Sequence, residues 1–280
     1  MTTTPEQRLE AASRWWSTAL VDIQPGAIRI RGYAIEDLIG RIGYAQMVWL
    51  MLRGELPGPG QAALLEACLV AGVDHGPHAP SIAVSRMAVS CGLPLNGAMA
   101  SAINTLDDVH GGAGQQCMEL MRAIDAEAGG RPADDEQVAR GVDAWIAAHG
   151  KVIPGFGHRW HGVDPRAVRL LALVQQAVDQ GLVSGRFAAM GRRIEALLQA
   201  RKGAPIPMNI DGATAAIFLE LGFEPPLGRG LFVLSRAVGI LAHAWEQAQE
   251  GRRIKGPMAP EIPYRYTGPA PRDPDPGRNG

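Results

Sequence analysis

Helical spacing of apolar positions runs through most of the chain. In IEDLIGRIGYAQMVWLMLRG, Ile35, Leu38, Ile39 and Ile42, then Met47, Val48, Leu50 and Met51, recur at three-and-four spacings, which is the pattern of a buried helical face. Gly54 predicts a C-cap and Pro57 a stop, so this segment is one long helix or two short ones. The pattern returns in QAALLEACLVAGV, VSRMAVSCG, MASAINTLDDV, QQCMELMRAIDAEAG, DDEQVARGVDAWIAAHG, PRAVRLLALVQQAVDQG, GRFAAMGRRIEALLQARKG, DGATAAIFLELG and GRGLFVLSRAVGILAHAWEQAQEG, most of them closed by Gly or Pro. The one segment that predicts a strand is AIRIRGY, near Ala27. A parallel sheet would require β-branched runs between the helices, and these are missing, so the expected fold is all-α. No internal repeat of fixed period is visible. GGRPADDEQ reads as a surface connection in which Asp134 or Asp135 caps the next helix. Residues 269–280 are Pro, Gly and charge, and are expected to form a disordered tail.

Composition narrows the class. A chain of 280 residues is long enough to bury roughly three quarters of the surface it exposes when unfolded. Lys and Arg number 27 against 28 Asp and Glu, so no global positive excess exists to neutralise nucleic acid or an anionic membrane, and any anion site must be local. Cys68, Cys91 and Cys117 are an odd number without CxxC spacing, which excludes a disulfide framework and a thiolate zinc knuckle. The start MTTTPEQRLEAASRWW lacks the basic and apolar regions of a secretory signal. Glu66, Arg236 and His243 interrupt the most apolar stretches and are expected to cut them short of membrane-spanning length. The expectation is a cytoplasmic protein without a membrane partner.

The chemistry concentrates in glycine-rich junctions. Five of the seven histidines lie between helices: His75 and His78 in DHGPHAP, His110 in DDVHGGAG, and His158 and His161 in VIPGFGHRWHGVDPRA. A fourth junction, PIPMNIDGAT, carries Asp211 where a helix begins. Glycine there lets backbone approach a ligand closely and leaves the side chain at a helix end. Each residue alone is more simply a cap or a turn residue. Together, one carboxylate and several imidazoles suit proton abstraction beside a carbonyl: the carboxylate takes the carbon-bound proton while neutral imidazole hydrogen-bonds the developing enol oxygen. A second imidazole can serve the partner's oxygen, and arginines can clamp its carboxylates.

DHGP, HGGA, PGFGH followed by DPRA, NIDG and SRAVG occur in the order and approximate spacing of the citrate synthase superfamily, and IRGYAIEDLIG with LMLRGELP resembles its opening. The resemblance covers about residues 15 to 268. DHGP, NIDG and LFVLSRAVGILAHAWEQ are most similar to the short citryl-CoA lyases and the lyase portion of ATP-citrate lyase, whereas HGGA is the citrate synthase turn. It implies that Asp211 moves the methyl proton of acetyl-CoA, that His110 stabilises the enol oxygen, and that His158 serves the keto-acid oxygen. His75 resembles the histidine that orients the citrate-like substrate, and Arg166 and Arg236 resemble carboxylate-binding arginines, with Arg159 an added anion candidate. Gly155, Phe156 and Gly157 lie in VIPGFGH, which resembles the loop whose backbone meets the adenine end of CoA, and the resemblance implies that Lys202 could reach a CoA phosphate.

The resemblance further implies a homodimer, with a large helical domain from 1–111 plus 223–268 and a small CoA-binding domain from 112–222. CoA thioester enters as substrate, and no permanently bound cofactor or metal is expected. The implied reaction is cleavage of citryl-CoA to acetyl-CoA and oxaloacetate, and the chain's shortness favours that compact lyase-like branch. Condensation with oxaloacetate or another 2-oxo acid is the alternative, and a non-catalytic CoA-binding homologue is a third possibility. Two departures stand out. Gly256 and Ala259 stand where the family has a C-terminal arginine before a proline. Either Arg252, Arg253, Lys255 or Arg265 substitutes, or the substrate carries one carboxylate fewer than citrate, since an unpaired buried carboxylate is costly. Trp160 replaces a β-branched aliphatic. HGPH and HRWH also place paired imidazoles at a spacing open to zinc, but both lie in Gly- and Pro-containing turns without a helix-borne glutamate. His149 and His243, in amphipathic segments, read as structural.

Overall fold

The computed structural model describes residues 4–158, 161–256, 258–259, 261–272 and 274. Arg159 and Trp160 lie outside the described residues, as do most positions of the expected tail. Among the described residues the chain is helical, with one small antiparallel sheet of order β1–β2–β3. In chain order the elements are α1 (Pro5–Trp15), β1 (Val21–Gln24), β2 (Ala27–Ile30), β3 (Tyr33–Ala34), α2 (Ile35–Leu38), α3 (Tyr44–Arg53) and α4 (Pro59–Ala71). There follow α5 (Pro80–Ser90), α6 (Leu95–Ile103), α7 (Ala113–Glu127), α8 (Asp135–His149), α9 (Pro165–Asp179), α10 (Arg186–Lys202), α11 (Ile210–Glu220) and α12 (Pro225–Glu250).

The all-α class stands, with local differences. The segment after Ile35 forms two helices because Gly40 takes a left-handed φ of 77° between them. The AIRIRGY strand pairs with β1 in the register Val21↔Ile30 and with β3 through Ile30↔Tyr33. Runs of four and two residues are too short for alternation to announce them. Helix α1 is a difference from the sequence reading: it buries no residue, its Leu9 and Trp15 being exposed, and a Thr4–Gln7 capping box with Pro5 in the first turn starts it.

Buried apolar residues fall into two groups. The larger takes in α3, α4, α7 to α11 and the start of α12, through residues such as Trp49, Leu65, Met118, Ile124, Phe187, Ile194, Ile217 and Leu231. The smaller, Ala79, Ile82, Ala102, Leu106 and Ile240, joins α5 and α6 to the later part of α12. Helix α11 packs against α4, α7, α9 and α10 and buries every residue from Gly212 to Leu219 except Thr214. Such a helix is apolar nearly all round and reads as interior.

Helix α12 corrects one expectation. It runs unbroken through Arg236 and His243, and by length and composition is long and apolar enough to cross a bilayer, with mean hydropathy 1.2 over its most apolar stretch. One face of it packs against α4, α5, α6 and α7, with Arg236 buried inside the protein, while Leu234, Val238, Leu241 and Trp245 are exposed.

Candidate active site

The turn that carries His158 is stitched to the start of α11. Phe156 bridges antiparallel to Met208, Gly157 N–H donates to Pro207 O at 2.8 Å, and Asn209 N–H donates to Gly155 O at 3.0 Å. The Asn209 side chain donates to Gly157 O at 2.6 Å. Its Oδ1 accepts from Asp211 N–H at 2.9 Å and from Gly212 N–H at 3.2 Å, which makes it the N-cap of α11. Two glycines permit this approach. A Cβ on Gly155 would stand 2.8 Å from Gly212 Cα, and one on Gly212 would stand 2.4 Å from Gly155 O. His158 and Asp211, distant in sequence, thus ride on one backbone unit.

Hydrogen bonds set the imidazole tautomers. His110 Nε2 accepts the Ser81 backbone N–H at 3.2 Å, at the start of α5, with Ser81 Oγ at 3.0 Å. A ring nitrogen that accepts is unprotonated, so neutral His110 carries its proton on Nδ1. His158 Nδ1 accepts the His161 backbone N–H at 3.1 Å, which by the same rule leaves the proton of neutral His158 on Nε2. The His75 and His158 rings meet edge to face with centroids 5.4 Å apart, and the His158 and His161 rings lie 4.6 Å apart.

Two guanidinium groups are common neighbours of the cluster. Arg236 is buried, donates from Nε to Gly72 O at 3.1 Å and lies 4.8 Å over the Phe232 ring. Arg166 is held by Asp164 through Nε at 3.0 Å and Nη2 at 2.9 Å. The basicity of His75 is lowered by burial first, then by the charges of Arg166, His158, Arg236 and His161. That of His110 is lowered by burial and by Arg236. His158 is lowered by burial, opposed by Asp164 and reinforced by His161 and Arg166. The Asp211 carboxyl is pushed up by burial, with Arg166 and Arg236 opposing and Asp164 adding to the rise. Burial disfavours charge on either kind of group, so imidazoles stay neutral and the acid becomes easier to protonate.

The His75 and His158 rings are in contact, and Arg166 and Arg236 are the charges these groups have in common: both act on His75 and Asp211, Arg236 on His110 and Arg166 on His158. Lys202 stands apart, exposed at the end of α10, and Phe156 is buried. The hydrogen bonds of Gly155 and Gly157 described above hold their turn in place. Lys255 is tied to the end of α5 by its N–H on Ser90 Oγ at 2.8 Å, while Arg252, Arg253 and Arg265 are exposed. His149 stacks on Trp145 with ring centroids 4.0 Å apart. His243 Nε2 lies 3.3 Å from Asp74 Oδ2. Among the described residues no three His, Cys, Asp or Glu side chains converge as a metal-holding group. Sequence reasoning missed Ser81, Asn209 and Asp164. The Asp-Pro that opens α9 and the Asn before Ile210 were legible as helix caps, but their long-range partners were not.

A half-buried carboxyl in the first turn of α11, imidazoles of fixed tautomer in the junctions, Arg166 in the first turn of α9 and Arg236 midway along α12 are together a candidate acid–base site on an all-α frame. The family model described as the citrate synthase C-terminal domain matches residues 58–257. The chain belongs to the citrate synthase family. Citrate synthase of Haloferax volcanii is 32% identical over 230 residues, covering 81% of this chain and 56% of the relative. 2-Methylcitrate synthase of Mycobacterium tuberculosis is 28% identical over 257 residues, covering 90% and 62%. The chain thus spans little more than half the length of these curated relatives. Among solved structures, citryl-CoA lyase from Hydrogenobacter thermophilus aligns with a TM-score of 0.80 at 31% identity, covering 92% of this chain and 96% of that one.

Proposed function

We propose that the protein makes or breaks a carbon–carbon bond next to a CoA thioester, and that its reaction is cleavage of citryl-CoA to acetyl-CoA and oxaloacetate. The observation that carries the reaction class is the opposed tautomers of His110 and His158 together with the carboxyl of Asp211, whose proton affinity is raised and whose helix start is hydrogen-bonded to the turn that carries His158. In the condensing direction, Asp211 takes a proton from the thioester methyl and His110 Nδ1–H hydrogen-bonds the carbonyl oxygen as it becomes an enolate. The methyl carbon attacks the keto carbon, and His158 Nε2–H supplies the proton to the new hydroxyl oxygen. Cleavage is the reverse and starts from His158 without its Nε2 proton: the hydroxyl proton passes to Nε2, the bonding pair enters the enolate, and protonated Asp211 delivers hydrogen to carbon. Arg166 and Arg236 hold substrate carboxylates, and His75 orients the substrate beside His158.

The near-complete mutual coverage with a citryl-CoA lyase supports the lyase direction. Condensation is the second reading, favoured by curated relatives named as citrate and 2-methylcitrate synthases. In either direction the 155–157 turn and Lys202 serve CoA, and the 112–222 segment closes over it to keep water from the enolate. Arg159 remains a further anion-binding proposal. A homodimer fits the exposed apolar stripe of Leu234, Val238, Leu241 and Trp245 on α12, and free Cys68, Cys91 and Cys117 fit the reducing cytoplasm. The test is to offer citryl-CoA, and separately acetyl-CoA with a panel of 2-oxo acids, and to identify products by mass spectrometry. Acetyl-CoA and oxaloacetate from citryl-CoA support the lyase, and a new acyl-CoA-derived acid supports the synthase. Thioester binding without turnover in either direction leaves only a non-catalytic CoA-binding homologue.

A further inference from the structure

Asp164 is a polar residue buried to 1% exposure, and its carboxylate accepts four hydrogen bonds. Oδ1 takes the Arg166 backbone N–H at 3.0 Å and Arg166 Nε at 3.0 Å. Oδ2 takes Arg166 Nη2 at 2.9 Å and the Ile210 backbone N–H at 3.0 Å. The first two-residue link makes Asp164 the N-cap of α9, with Pro165 in the first turn. The last is of a different kind: it satisfies the first orphan N–H of α11, across 46 residues of sequence. A helix cap alone needs one acceptor oxygen. Here a single ion joins two helix starts and a guanidinium.

We propose that Asp164 is a positioning residue that locks the Arg166 guanidinium and the Asp211 end of α11 into one rigid unit. This rests on the proposed function, which makes Asp211 the proton carrier and Arg166 a carboxylate clamp, and assigns Asp164 no contact with substrate. A neutral amide cannot reproduce the lock, because one of its two heads is an NH2 that faces either Arg166 or Ile210 N–H with donor against donor. The charge also matters. Asp164 lies within electrostatic reach of Asp211, whose other charged or titratable neighbours are Arg166 and Arg236 and Cys117 from α7.

The experiment compares wild type, Asp164→Asn, Arg166→Gln and the double variant in the full chain, by kinetics and by amide hydrogen exchange. Asparagine is itself a good N-cap, so Asp164→Asn retains α9. KM for the carboxylate-bearing substrate is expected to rise about tenfold or more, the scale of hydrogen bonds to a charged group. Combining Asp164→Asn with Arg166→Gln should add little further to KM, because the two act as a unit. In Asp164→Asn the acid limb of the condensation profile moves to lower pH, since the carboxylate that helps keep Asp211 protonated is gone. Amides 210–212 exchange faster than in wild type, while exchange elsewhere in α11 is unchanged. Wild-type KM and pH profile in Asp164→Asn, or additive losses in the double variant, overturn the proposal. If wild type turns over no thioester, the functional reading fails instead. The exchange at 210–212 then decides Asp164 alone, and unchanged exchange overturns it.

Discussion

At the scale of single residues, Asp211, the proposed proton carrier, sits where burial disfavours ionisation. Its raised pKa has a stability consequence of definite sign. A carboxyl whose folded pKa exceeds its unfolded one favours the native state at low pH, and that contribution is lost as pH rises through the folded value. Asp211→Asn mimics the protonated form, so its Tm near neutral pH is expected to exceed that of wild type. The gap should close as pH falls below the ordinary carboxylate value. Calorimetry across that range checks it, and an equal or lower Tm at neutral pH refutes the burial argument. Condensation requires the ionised form, so kcat/KM is retained at higher pH and falls as pH drops through the raised Asp211 value. Burial also lowers the basicity of the His110 and His158 imidazoles. These residues were legible in sequence because glycine flanks each of them. Ser81 was not, because its hydrogen bond to His110 spans 29 residues and nothing in PSIAVS marks it as a partner.

At the scale of elements, α11 and the 155–157 turn decide whether the site exists. The helix presents Asp211 from its first turn, and its interior position is maintained by apolar packing on nearly every side. Ile217, fully buried, should cost about 2–5 kcal/mol when cut to Ala, from lost transfer energy and the cavity left behind; denaturant unfolding measures this. Gly155→Ala should separate the turn from α11, because a Cβ there would also stand 2.6 Å from Cys117 Sγ, and φ at Gly155 is 84°. Loss of turnover with far-UV dichroism retained is the expected result, and wild-type turnover contradicts the stitched-turn geometry. Helix existence was legible from apolar periodicity. Strand β2 was legible in AIRIRGY, whereas helix α1 and strands β1 and β3 were not, since α1 buries no residue and β1 and β3 are only four and two residues long.

At the scale of the whole molecule, one long helix joins the two buried groups. Leu231 of α12 packs with the larger group and Ile240 with the smaller, while Arg236 between them faces the site. Movement of one group against the other would therefore be felt at Arg236, the proposed carboxylate clamp. The opposite face of α12 exposes Val238 and Trp245, and Val238→Glu is expected to convert the proposed homodimer to monomer in analytical ultracentrifugation. A wild-type monomer at micromolar concentration would contradict that assembly. The class and the family were legible because five junction motifs fall in register; the substrate was not, since it depends on how many carboxylates the arginines must satisfy.

Proton delivery to carbon by Asp211 is the step on which the account turns, and isotope content reads it directly. Citryl-CoA is cleaved in D2O and the acetyl-CoA formed is weighed by mass spectrometry. One deuterium is expected in the methyl group, and a rate lowered by about a thousandfold or more in Asp211→Asn. Cleavage by Asp211→Asn at the wild-type rate, or acetyl-CoA without deuterium, would contradict it.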